Sequence, residues 1–284
     1  MPGLEDFQLE LVEVVQDELA EDGSHAWQYS EEQIKKLEDP AVKAFFVVNP
    51  ANPPSMAIKQ ETIDQIVEIV RTKRPDLMIL TDDVYGTFVP GFRSLAADLP
   101  HNTILVYSFS KHFGCTGWRL GVIGVHEDNV FDKAIAKLPA SERGELDTRY
   151  GSLTTEPAEM KFIDRMVADS RRVALNHTAG LSLPQQMQML LFSAFALLDQ
   201  DDAYQNRCRE IVQTRLGRLY KGLGIPLPSD AQCAGYYRQL DLENWAARVV
   251  GQEFVDHVNN SSNPFNLFFR LAREYQRSEE RRVG

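Results

Sequence analysis

Apolar positions along the chain follow two rhythms. Four short runs are continuous, at Ala44–Val48 (AFFVV) and at residues 77–80, 104–106 and 120–125. Continuous runs of this length belong to strands buried on both faces, as in parallel sheets. Between them, residues 61–73 carry Ile63, Ile66, Val67 and Val70 at helical spacing. Ser30-Glu31-Glu32-Gln33 is a helix start with Ile34 and Leu37 behind it. The βαβ rhythm over 44–125 predicts an α/β fold with a parallel or mostly parallel sheet covered by helices.

Helical patterns continue through 129–138, 157–173, 184–198 and 202–223. The linker Ile225-Pro226-Leu227-Pro228 follows. Residues 236–242 then read as a strand entering a second, small α/β unit, with its helix over 245–257 and a next strand at 267–269. Near the start, Phe7, Leu9 and Leu11 alternate with polar residues, as in an edge strand. These patterns divide the chain into an N-terminal edge segment (1–30), a large domain (31–200), a small domain (201–276) and a charged tail (277–284).

Composition narrows the function classes. An apolar content of 43% and a charged content of 25% are those of an ordinary globular protein. The net charge of −11, with no basic block to offset it, argues against a nucleic-acid partner. The longest apolar run, 187–198, is too short and too polar to span a bilayer, so no membrane role is expected. The three cysteines, Cys115, Cys208 and Cys233, have no metal-ligand spacing. Reduced thiols and an acidic N-terminus without a leader pattern make a cytoplasmic location the expectation.

Candidate chemistry concentrates after the strands, where ligands bind in open α/β sheets. The stretch VYSFSKHFGCTGWRLGVIG (106–124) breaks from an apolar strand into small and polar residues around Lys111. Partial desolvation there favours the neutral amine, a nucleophile able to form a Schiff base. Arg119 offers a fork of donors suited to phosphate, and Ser108 and Ser110 add hydroxyls. An amine that condenses with an aldehyde, beside phosphate donors, describes a site for pyridoxal 5'-phosphate. For an isolated short motif, a surface lysine and a packing arginine are the commoner reading. Two further post-strand elements shift the balance: Asn52 offers an amide, Asp82 a carboxylate and Tyr85 a phenol. A carboxylate at the pyridine nitrogen keeps that ring protonated and electron-accepting. Cys115 reads as a small buried filler.

NPANPP (49–54), TDDVYGTF (81–88) and SFSKHFGCTGWRLG (108–121) together resemble, in order and spacing, the class I/II aminotransferase family of fold-type I pyridoxal-phosphate enzymes. NPPS at 52–55 stands where many members have NPTG. The resemblance implies a three-layer αβα large domain, incomplete here at its N-terminal side, with a partial small α/β domain. It implies that Lys111 carries the cofactor, Asp82 meets the pyridine nitrogen, and Asn52 and Tyr85 meet the 3-oxygen. Ser108, Ser110 and Arg119 would hold the phosphate. LMILTDDVYGTF and RYGSLTTEPAEMKFIDRMVADSRRVALNHTAGLSLPQQ are similar to the aspartate β-decarboxylase branch of that family. This implies conversion of L-aspartate to L-alanine and carbon dioxide, with transamination as a side activity, in a homodimer or higher homo-oligomer. Another amino-acid specificity, or a remnant without activity, are the alternatives. Arg171, with Arg172 beside it, is the candidate for a substrate carboxylate. Family members are longer, so the chain is expected to be a fragment.

Overall fold

A computed structural model describes residues 27–172, 180–227 and 230–260, together with Phe269 and Arg273. The proposed edge strand at 7–11, the tail at 277–284, and Leu267 and Phe268 of the last proposed strand lie outside the described residues. So does the side chain of Arg172. The chain divides into two compact units between Arg238 and Gln239.

The first unit is built on one mixed sheet of four strands: β1 Ala44–Val48, β2 Met78–Asp82, β3 Thr103–Ser108 and β4 Gly121–Val125. Its order is β1-β2-β3-β4. The first three strands are parallel, and β4 runs antiparallel to β3. The expected mostly parallel sheet is therefore present, with one reversed edge. The connection between β3 and β4, residues 109–120, holds a four-residue helix and a 3-10 turn, with no helix long enough to cross the sheet face.

One face of the sheet is well covered. Helices α1 (Glu31–Lys35) and α2 (Gln60–Thr72) pack Ile34, Ile63, Ile66, Ile69 and Val70 against Phe45, Val47 and Ile79. Ser30 starts α1 by accepting the amide of Gln33, as its sequence predicts. The opposite face is less covered than the continuous apolar runs suggested. Phe46 is 65% exposed and Ile123 48%. Among the described residues, neither belongs to a buried hydrophobic cluster.

Arg74 locks the entry to β2. Its buried guanidinium donates to the carbonyls of Leu37 (3.1 Å), Asp39 and Val42 (2.6 Å), and to the Asp76 carboxylate (3.0 Å). One planar fork thus satisfies backbone carbonyls of the α1–β1 connection.

The remaining helices of this unit are α3 (Leu95–Asp98), α4 (Phe109–His112), α5 (Val130–Ala136), α6 (Ala140–Tyr150), α7 (Phe162–Arg172), α8 (Leu183–Leu198) and α9 (Ala203–Leu223). Helix α9 lies in the first unit, although the 201–276 assignment grouped it with the second. It is tied there by Gln205 and Arg209, which both donate to the carbonyl of Thr87 (3.0 and 2.8 Å).

The expected strand at 236–242 is absent. Gly235 takes a left-handed φ of 67°, and Asp241 instead caps a helix by accepting the amide of Asn244 at 2.9 Å. Competition from a good cap outweighed the strand-like alternation. The second unit contains α10 (Leu242–Val249) and α11 (Gln252–Asn259), which replace the single helix expected over 245–257. The break falls at Gly251, whose φ is 114°. Phe269, the described end of the last proposed strand, is helical.

Arg74→Ala should lower stability by about 3 kcal/mol, because it strands several buried carbonyls at once. Arg74→Lys should recover little of this, since an ammonium cannot span the same carbonyls. Urea unfolding measures both; an Arg74→Ala midpoint equal to that of the parent would refute the assignment.

Candidate active site

The site forms because the first three strands share one register near their carboxyl ends, with β3 running two residues further than β1 and β2. Val48 pairs with Asp82, and Asp82 with Val106. The chain segments that follow these strands therefore leave the sheet side by side. They carry Asn52, then Asp82 and Tyr85, then Ser108 and Lys111.

Each segment is held by its own local bonds. After β1, the buried amide of Asn49 accepts the backbone N–H of Ile58 at 3.0 Å and closes the loop. Inside that loop the N–H of Ala51 donates to Met56 and that of Ser55 to Ala51, both at 2.8 Å. After β2, an Asp82 oxygen accepts the N–H of Val84 at 3.1 Å, an Asx turn that sends the chain toward Tyr85. A short 3-10 turn follows at Gly86–Phe88. Gly86 is required there, since a Cβ would meet the Phe92 ring at 2.5 Å.

The neighbouring acids have separate places. Asp83 is buried and accepts the hydroxyl of Thr81 at 2.6 Å, and burial pushes its carboxyl up. Asp82 lies on the side of Tyr85, whose phenol feels its charge.

After β3, Ser108 caps α4 by accepting the N–H of Ser110 at 3.2 Å. Lys111 sits in that helix. Its neighbour His112 is buried between the rings of Phe88 and Tyr204, and its carbonyl accepts the Tyr204 hydroxyl at 3.1 Å. Burial lowers the His112 imidazole below its ordinary value. A neutral packed ring fixes the helix that presents the lysine.

The amine of Lys111 is half-buried and donates to the Tyr237 hydroxyl at 3.3 Å. It also lies 5.7 Å from the ring centre of Tyr236 and 5.8 Å from that of Tyr237. Tyr85 meets Tyr236 and Tyr237 at 5.4 and 5.5 Å between ring centres. The Asn52 amide donates to the Tyr85 hydroxyl at 3.2 Å. Asn52, Tyr85 and Lys111 are thus gathered, and Asp82 stands at the end of β2, three residues before Tyr85. Burial, then the bond to Tyr237, raises the Tyr85 phenol above its ordinary range.

The phosphate donors are less assembled. The hydroxyls of Ser108 and Ser110 bond one another at 2.9 Å, and Ser108 also donates to Leu120 (3.1 Å). Arg119 is exposed, in left-handed backbone, and donates to the Thr116 carbonyl at 3.2 Å. Arg171 is exposed at the end of α7, and no described contact brings it to Lys111. Cys115 is buried and its thiol is raised by burial, which suits packing.

Tyr236 and Tyr237 are the residues that the sequence reading missed as members of the site. The loop after β1 brings them in. Ser55 accepts the N–H of Ala234 on its carbonyl (2.8 Å) and that of Tyr237 on its hydroxyl (3.2 Å). A second backbone bond joins Ala57 to Gln232 at 2.8 Å. Paired aromatics of this kind carry no local signal for a contact so distant in the chain.

Residues 4–258 match the family model described as aminotransferase class I and II. The chain belongs to that family. Its mixed sheet and covering helices are part of the family's α/β fold. The chain is 51% identical over 271 residues to the bifunctional aspartate aminotransferase and L-aspartate beta-decarboxylase of a Pseudomonas species. That match covers 94% of this chain and 51% of the relative, so the chain spans about half the relative's length. An aspartate aminotransferase of Sulfolobus acidocaldarius is 39% identical over 89 residues, 30% of this chain and 22% of that protein. Among solved structures, the Thermus thermophilus aspartate aminotransferase with maleate has a TM-score of 0.46 at 17% identity, covering 70% of this chain and 42% of that one. No described helix is long and apolar enough to cross a membrane. No described cluster of His, Cys, Asp and Glu could hold a metal ion.

The aromatic environment has a consequence at high pH. Tyr29, Tyr107 and Tyr204 are pushed up to about 12, first by burial, from an ordinary 10.0. Between those values the unfolded chain releases phenol protons that the folded chain keeps, so stability should fall as pH rises from 10 toward 12. Ultraviolet titration of the folded protein should show delayed phenol ionisation coinciding with alkaline unfolding. Ionisation of every tyrosine near 10, with the fold intact, would contradict this burial.

Proposed function

We propose that this chain forms the lysine-bearing side of a pyridoxal-phosphate site acting on L-aspartate. The observation that carries the reading is the gathering of the Lys111 amine with Asn52 and Tyr85 at the carboxyl ends of the parallel strands. The donor set suits the cofactor: an amine for its aldehyde, an amide and a phenol for its ring oxygen, and a carboxylate for its ring nitrogen. Bound there, the group supplies an aldehyde for the substrate's amine and a ring that takes up the electrons of the bond that breaks.

The protein's own residues have distinct tasks. Lys111 holds the cofactor and then moves protons at Nζ. Asp82 would meet the ring nitrogen and keep it protonated. Asn52 and Tyr85 hold the ring oxygen. A proton on Tyr85, favoured by burial, lets that phenol donate. Ser108, Ser110 and Arg119 take the phosphate, which requires the Arg119 fork to leave the Thr116 carbonyl.

The reaction is β-decarboxylation of L-aspartate to L-alanine and carbon dioxide, with transamination as a side activity. The similarity to the Pseudomonas bifunctional protein over 94% of this chain supports that choice over another amino-acid specificity. The working assembly is a homodimer or higher homo-oligomer in the cytoplasm. A second reading, a partner that associates without activity of its own, is favoured by the unassembled phosphate donors.

Adding pyridoxal phosphate should produce a visible absorption band that is lost in Lys111→Ala. Aspartate alone, with no keto acid added, should then yield alanine and carbon dioxide. Turnover that needs a keto acid would replace decarboxylation by transamination. A folded protein with no Lys111-dependent band would favour the inactive partner.

A further inference from the structure

We infer that Tyr237 is a positioning residue for Lys111, its hydroxyl holding the amine beside Tyr85 and Asn52. The inference rests on the proposed role of Lys111 and adds a residue to the same site.

The geometry has three parts. The Tyr237 hydroxyl oxygen accepts a hydrogen bond from Lys111 Nζ at 3.3 Å, across 126 residues of chain. The Tyr237 ring meets Tyr85 edge-on at 5.5 Å, and the two hydroxyls are also bonded. The backbone of Tyr237 is fixed to the loop after β1 by its N–H bond to Ser55 Oγ at 3.2 Å. That loop is the one that presents Asn52. Tyr237 therefore bridges the segments that follow β1, β2 and β3.

A lysine side chain has many rotamers, and holding its end in place costs conformational entropy unless bonds select one position. Here an oxygen acceptor and two ring faces select it. An ammonium is attracted to aromatic faces and donates to the phenol oxygen. Both interactions hold the amine at this position. Tyr236 contributes a ring face and lines the same wall, its ring tilted against that of Phe88 at 4.9 Å, but its hydroxyl has no described bond to Lys111.

The test needs no cofactor. Acetic anhydride reacts with the free amine, and peptide mass spectrometry reads the rate at Lys111 alone. Tyr237→Phe keeps the ring and removes the hydroxyl. At mildly alkaline pH it should speed Lys111 labelling roughly fivefold, the worth of one lost hydrogen bond. Its labelling profile against pH should lie above that of the parent. Tyr236→Phe should leave rate and profile unchanged, and circular dichroism checks that both variants fold. A Tyr237→Phe profile that superimposes on the parent, or an equal shift in Tyr236→Phe, overturns the positioning role. Addition of pyridoxal phosphate to the parent separates the two ideas. A missing band beside a shifted Tyr237→Phe profile would refute the proposed function and uphold this contact.

Discussion

The shared register of three parallel strands near their carboxyl ends is the constraint on which the site depends. Val48, Asp82 and Val106 stand in one row of the sheet. Backbone ladders set that row, and the side chains after it inherit their spacing from it. An amide from one loop, a phenol from the next and an amine from the third then need only short local turns to meet. Asn49, the Asx turn of Asp82 and the Ser108 cap supply those turns. Each is a side chain bonded to nearby backbone, which satisfies polar groups of loops that are themselves largely buried.

Desolvation then distinguishes groups that look alike in the chain. Asp83 is buried against Thr81, while Asp82 accepts the N–H of Val84. His112 is packed among rings, while Lys111 beside it reaches Tyr237. Adjacent residues on a turn or short helix point in different directions, so one partner serves the fold and the other the site. The same economy appears at Ser108, whose hydroxyl both caps the helix and stands next to Arg119 through Leu120.

Much of this was legible in the chain. The four apolar runs became the four strands, and the residues following them became the site. Continuous hydrophobicity carries that signal because it reports burial directly. The direction of β4 was not legible from its own residues, since a run such as 120–125 serves either orientation. Its link to β3, residues 109–120, is long enough for either direction and added no clue. Tyr236 and Tyr237 were read as the start of a strand because alternation around them fits one. Their actual partners, Ser55 and Lys111, lie 182 and 126 residues away from Tyr237, and periodicity holds no information at that range. Arg171 was chosen for its charge alone, and charge without a position did not bring it to the other residues.

The central claim is that one amine, Lys111, is selected by its surroundings for condensation with an aldehyde. Pyridoxal phosphate can be trapped on the folded chain by borohydride and the modified peptides sequenced by mass spectrometry. The account predicts one pyridoxyl group per chain, on Lys111. Label spread over exposed lysines such as Lys35 and Lys133, with Lys111 no more modified than they are, would contradict it.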